Sequence, residues 1–243
     1  MGENMEVYGI ESLEAAADGV ISDDEKQPGH IVSNATTGQS DPNAIVLGSG
    51  TSISGDVKAR GSIDVGGAVV QGKVLPNAAQ QNLPDVSVEA FDPAGKTGEY
   101  PWTGAPGPDG GPPQLVGRAR YSGDLTIDDL DMAEGLLYVD GDVTVTGTVK
   151  GKGAIVATGK ITVTGSMDAE SDHAALVAKG DIKIHGDGPN SSKFQGLVYS
   201  EGSIDIARTK IMGAAVSKDT AGTTKLEDVV AVAVPELTRV RHP

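Results

Sequence analysis

Five carboxylates crowd one short stretch of the chain: Asp128, Asp129, Asp131, Asp140 and Asp142. Carboxylate oxygens are hard ligands of the kind that hold Ca2+. Their spacing is neither that of an EF-hand loop nor the nonapeptide pattern of calcium-binding β-rolls. Charged corners are the ordinary reading, with a structural Ca2+ as the alternative, and no other cofactor is implied. A second chemical pattern is a row of hydroxyls. Thr144 and Thr146 recur as Thr162 and Thr164, and Thr126 extends the row by one. Long stacked threonine rows form the flat face of ice-binding solenoids, but Lys183, His185 and Asp205 break this one. It reads as a solvated strand face. The four histidines, His30, His173, His185 and His242, lie far apart with no carboxylate or cysteine at ligand spacing. There are no cysteines, hence no thiol chemistry. Nucleophile elbows, phosphate loops and zinc signatures are missing too. The expectation is a protein that is not an enzyme.

The elements that would carry these residues announce themselves by repetition. Gly141-Asp142-Val143-Thr144-Val145-Thr146-Gly147 returns eighteen residues later as Gly159-Lys160-Ile161-Thr162-Val163-Thr164-Gly165. Related phrases begin at Gly61, Gly123, Gly180 and Gly202. A fixed period of this size marks a solenoid. Within each phrase the aliphatic residues fall two apart, which is strand periodicity, and β-branched side chains suit a pleated surface. Ile63, Val65, Leu125, Ile127, Val143, Val145, Ile161, Val163, Ile182, Ile184, Ile204 and Ile206 are thereby expected to point inward. A second apolar stretch precedes the glycine in several coils, as in Leu136-Leu137-Tyr138-Val139 and Ala154-Ile155-Val156-Ala157. A third, shorter one follows it. The predicted fold is all-β: a single-stranded parallel β-helix, or β-solenoid, with coils of about eighteen residues and glycine-bearing corners.

Bulk properties agree. With 243 residues the chain can build one elongated domain of roughly seven to nine coils. Two Phe, one Trp and five Tyr suit a narrow aliphatic tube. Thirty-four acidic residues against nineteen basic ones give a formal charge of −15. Phosphate affinity comes from Lys and Arg patches, so no nucleic-acid partner is expected. No run approaches eighteen apolar residues and no signal peptide opens the chain, so no membrane span is expected in it.

Residues 1–43 lack the repeat and read as an N-terminal cap or tail. The β-helix domain spans 44–217. A Pro/Gly-rich insertion at 75–120 interrupts it, and proline cannot donate to a ladder. The insertion holds Phe91, Tyr100 and Trp102. It reads as a loop pinned on the solenoid flank, or as a contact surface built on Tyr100 and Trp102. Residues 218–243 form a C-terminal tail or cap, in which Val230, Val232 and Val234 are apolar enough to pair with another copy's exposed edge.

The phrases Ile53-Ser54-Gly55-Asp56-Val57 and Gly61-Ser62-Ile63-Asp64-Val65 resemble the bactofilins, polymer-forming β-helical cytoskeletal proteins. Leu137-Tyr138-Val139-Asp140-Gly141-Asp142-Val143 and its neighbours look like the β-helical domains of PilX-like pilus-assembly proteins. Together the resemblance covers about residues 44–216. It implies a non-enzymatic structural or assembly protein that self-associates, as a homo-oligomer or filament, or docks with a pilus or other surface-assembly protein. The alternative is a surface binding module or adhesin, holding a glycan or protein with the 75–120 insertion and the solenoid flank. A bacterial cell-surface or extracellular site is favoured, with a cytoplasmic filament as the alternative.

Overall fold

The computed structural model describes residues 5–10, 26–28, 31–36, 42–49, 51–53, 55–82, 86–96, 99–188, 191–218 and 224–233. It is a parallel β-solenoid with three sides. On the first side lie β12 (Leu125–Ile127), β15 (Val143–Val145), β18 (Ile161–Val163), β20 (Ile182–His185), the starts of β22 (Ile204–Ser217) and β23 (Thr224–Ala233), then β4 (Ile45–Leu47) and β7 (Ile63–Asp64). The second side stacks β13 (Leu130–Asp131), β16 (Val149–Lys150), the starts of β19 (Met167–Ala178) and β21 (Lys193–Ser200), parts of β22 and β23, β1 (Met5–Ile10), β5 (Thr51–Ile53) and β8 (Val69–Val70). On the third are β10 (Glu99–Pro101), β11 (Arg118–Ser122), β14 (Leu136–Asp140), β17 (Gly153–Ala157) and the ends of β19, β21 and β22. A separate parallel sheet holds β3 (Ile31–Ser33), β6 (Val57–Ala59) and β9 (Val74–Leu75). Only β2 (Lys26–Pro28) runs antiparallel to its neighbour, β1.

Register follows the sequence period. Leu125 lies beside Val143, and Val143 beside Ile161. Odd positions of the phrase point inward: Val143, Val145, Ile161, Val163, Ile182, Ile184, Ile204 and Ile206 are all buried, and Leu125 and Ile127 nearly so. Thr126, Thr144 and Thr162 form the outward column beside them. The glycine corner has a steric cause. A Cβ on Gly141 would strike the Gly123 carbonyl of the coil below, and one on Gly180 the Gly159 carbonyl. The residue after that glycine stitches the coils together. Asp124 Oδ1 accepts the Asp142 N–H at 3.0 Å, Asp142 Oδ1 the Lys160 N–H at 2.8 Å, and Asp181 Oδ1 the Ser203 N–H at 3.0 Å. Each carboxylate thus satisfies a corner N–H that strand pairing leaves open.

The order of coils in space is not their order in sequence. Thr224, Lys225 and Leu226 of β23 pair with Ile45, Val46 and Leu47 of β4, and Val7, Tyr8 and Gly9 of β1 pair with Ala231, Val232 and Ala233 of β23. The N-terminal coils therefore continue the solenoid beyond its C-terminal strand. The two ends of the stack are the coil of residues 63–75 and the coil that begins at β11.

Residues 76–82 and 86–96 lie between those two ends along the third side. Gln81 exchanges two hydrogen bonds with the Asn34 side chain (2.6 and 2.8 Å), and the Val86 N–H reaches Tyr199 Oη at 3.3 Å. Val88 is buried in a cluster with Tyr138, Val156, Val177 and Tyr199. Glu89 pairs with Lys179, and Asp92 with Arg120 at 3.1 Å. This strap covers the outward column of the third side, and for that reason those strands are apolar on both faces. In its described part the insertion lies along the third side as a cover.

Two outcomes follow. Val145→Asp should cost several kcal/mol and abolish the cooperative melt, because it buries an unpaired carboxylate. Thr144→Asp, on the outward face, should shift Tm by no more than a few degrees in a calorimetric scan. Ending the chain at Lys218 removes β23 from between β22 and the β1–β4 layer. Circular dichroism melting should then resolve two transitions where the full chain has one.

Candidate functional site

The two poles of the solenoid differ, and the difference is the principal surface feature of the molecule. At one pole, β7, β8 and β9 each have one ladder partner among the described residues, and nothing described lies over them. Val69 is 61% exposed, and Val65, Val74 and Leu75 are exposed beside it. Among the described residues these four account for all but one of the exposed large hydrophobics, the other being Val116. Val65 thereby departs from its expected inward position, and Ile63 is only half-buried. The residues obey the repeat, but the terminal coil has no further coil to close over them.

The other pole is covered by the chain itself. β10 pairs with β11, Trp102 N–H donates to the Arg120 carbonyl at 2.9 Å, and Gln114 bridges to Asp131. The Trp102 ring is 8% exposed and belongs to the core, with Tyr100 half-buried against it. Trp102 and Tyr100, read as contact residues of the insertion, pack against the core and plug the tube, since a coil with no neighbour needs large rings to fill its mouth. Between Trp102 and β12 remains a cleft of about 510 Å3, lined by Trp102, Pro106, Pro113, Tyr121 and residues 125–129, among others.

The remaining candidates fall into place around this frame. Val230 pairs with Lys210, and Val232 with both Met212 and Tyr8, so at Val232 the strand lies between two others. Val234 lies outside the described residues, as do His30 and His242. His185 Nε2 stands 3.3 Å from Asp205 Oδ2. The five aspartates are engaged with neighbouring groups. Asp128 Oδ1 accepts from the Thr146 hydroxyl at 2.9 Å, Asp129 Oδ1 from the Thr148 N–H at 2.6 Å, and Asp140 Oδ1 from the Thr158 hydroxyl at 3.1 Å. Asp131 meets the Ala133 N–H and Lys150, and Asp142 holds its corner. Among the described residues no group of three or more metal-ligating side chains is gathered.

Sequence reasoning missed the latch of the strap, the Asp92–Arg120–Tyr138 set. Arg120 Nη1 donates to Ser122 Oγ at 2.7 Å, Nη2 lies 3.7 Å from Asp140, and the guanidinium sits 5.8 Å from the Tyr138 ring centre. Burial opposes ionisation of Asp92, yet the Ala94 N–H and Arg120 hold its carboxyl below the ordinary aspartate value. Tyr138 is pushed up by burial and by the neighbouring carboxylates.

Residues 124–210 match the family described as the Flagellar Assembly Protein A (FapA) beta solenoid domain. The match runs from β12 into β22 and does not reach the bare pole. It is neither of the two families that the Gly-Asp-Val phrases resemble. No curated protein and no solved structure matches the chain. No helix among the described residues is long and apolar enough to cross a membrane.

The latch has a testable pH sense. A carboxyl whose folded pKa lies below its unfolded value stabilises fully above the unfolded value and loses that contribution as pH falls through the folded one. The Tm gap between wild type and Asp92→Asn should be widest above pH 5 and close as pH drops below about 4. A gap independent of pH would remove Asp92 from the latch.

Proposed function

We propose that the chain is a non-enzymatic structural and assembly protein that self-associates through its bare pole, coil 63–75. The observation that carries this reading is the concentration of exposed aliphatic side chains and open strand edges on that one coil. Unpaired edges of this kind recruit further strands, and natural solenoids cover them unless they are used. The FapA domain matched over 124–210 is by name an assembly module, which supports the class of role. Among the described residues the opposite pole carries its own cover on the second and third sides and leaves β12 open, so the three open strands of a bare pole are matched side for side by another bare pole. Two copies joined in this way relate by a twofold axis and close the contact, giving a pair rather than an open filament.

A second reading, a binding module at the insertion, draws on the cleft beside Trp102. It uses the opposite pole and does not compete with the first.

Sedimentation velocity separates the outcomes. Wild type should shift with concentration from the 24.7 kDa chain toward twice that mass. Val69→Lys with Val74→Lys places charges on already exposed positions, so Tm should hold while the pair dissociates at least tenfold more readily. Equal sedimentation of variant and wild type overturns the bare-pole contact. Filaments in negative stain overturn the closed pair.

A further inference from the structure

The end of the insertion is a coil with its middle side missing. Glu99, Tyr100 and Pro101 pair with Arg118, Ala119 and Arg120 on the third side, and Gln114 bridges to Asp131 on the second. Between these two anchored points a regular coil would lay a strand on β12. Residues 102–113 do not. They bulge away as a proline- and glycine-rich loop closed by the Gly107 N–H on the Gly111 carbonyl at 3.0 Å, with a 3-10 turn at Pro108–Gly110. Pro106, Pro108, Pro112 and Pro113 have no N–H to give a ladder.

The vacated place is the cleft. Leu125 N–H donates to the Asp142 carbonyl at 2.8 Å and Thr146 N–H to the Ile127 carbonyl at 3.0 Å, so Leu125 and Ile127 turn their backbone toward β15. Alternation in a parallel ladder then turns the Thr126 N–H and C=O the other way, into the cleft. Among the described residues β12 has β15 as its one partner. A three-residue strand in a sheet fills a slot of roughly 10 by 5 by 10 Å, about 500 Å3. The cleft, of about 510 Å3 and open to solvent, has room for such a segment. At the C-terminal end of β12 it is bounded by Asp128 and Asp129, both solvent-facing.

We propose that this cleft binds an extended polypeptide segment of another protein, which adds the missing strand to β12 and sets a Lys or Arg against Asp128 and Asp129. Main-chain bonds to Thr126 supply the affinity, and the carboxylate pair sets the direction and the preference for a basic residue. The site lies at the pole opposite the bare coil and is independent of self-association.

Trp102 lines the cleft and is the chain's one tryptophan, so its emission reports occupancy directly. The probe is an acetylated hexapeptide of alternating threonine and valine closed by two lysines, titrated into the full chain. A saturable emission change is expected. Binding should weaken at least tenfold when the central residues are N-methylated, and likewise when glutamates replace the lysines. Thr126→Pro removes the edge N–H and should abolish the response with Tm retained, because that N–H takes no part in the pairing with β15. Should that variant misfold, Asp128→Asn with Asp129→Asn serves instead. It keeps the acceptor oxygens for Thr146 and Thr148, and should erase the lysine preference and its salt dependence. The proposal is overturned by an absent response to the lysine peptide at millimolar concentration, or by equal binding of its N-methylated form.

Discussion

A coil of three short strands has no interior of its own; it gains one only when another coil lies about 4.8 Å above or below it. Lateral backbone pairing between coils is therefore the interaction on which the rest of this structure depends. It aligns the inward columns Leu125–Val143–Ile161 and Ile127–Val145–Val163, and it brings the glycine corners so close that no Cβ fits between them. It also dictates the use of the acidic residues. Corner N–H groups fall outside the ladders, and Asp124, Asp142 and Asp181 reach up to take them. Five carboxylates that suggested a cation are mostly engaged in the same kind of coil-to-coil bonding.

The same requirement explains the strap. The third side of the solenoid carries Tyr138, Val156, Val177 and Tyr199 on its outer face, a column that would be a large apolar patch if left bare. The strap, with Val86, Val88 and Phe91 over this column, buries it and lies on the chain's return from one pole to the other. One segment thus meets a topological need and an energetic one. Its far end then supplies the partial coil and the Trp102 plug.

What was legible in the sequence was whatever the period controls. Eighteen-residue spacing and the two-residue alternation sufficed for the fold class and for the inward residues from Leu125 to Ile206. The continuous apolar runs such as Leu136-Leu137-Tyr138-Val139 also carried a readable signal, for strands buried on both faces do not alternate. That signal located the strap's seat without saying what sat there. Position along the stack was not legible, because every coil obeys the same rule whether it has two neighbours or one. Val65 and Ile127 occupy equivalent places in the repeat, yet one is exposed and the other buried. The placement of the N-terminal coils beyond β23 rests on contacts between residues nearly the whole chain apart, as with Tyr8 and Val232, and no local pattern records such a contact.

That splice between β23 and the N-terminal strands bears on how the molecule is made. During synthesis the coils of residues 45–75 emerge with β1 and β3, the partners of β5 and β6, already made, yet the strand that pairs with β4 and with the far edge of β1 comes from the final stretch of the chain. The early coils must wait, with strand edges open, while well over a hundred further residues are translated. The later coils pair locally, each with the one just made, so the C-terminal stack can grow in the order of translation. Only its last strand has to find a distant partner. Maturation of this protein is thus a ring closure performed at the end, with a long-range entropic barrier concentrated in one step.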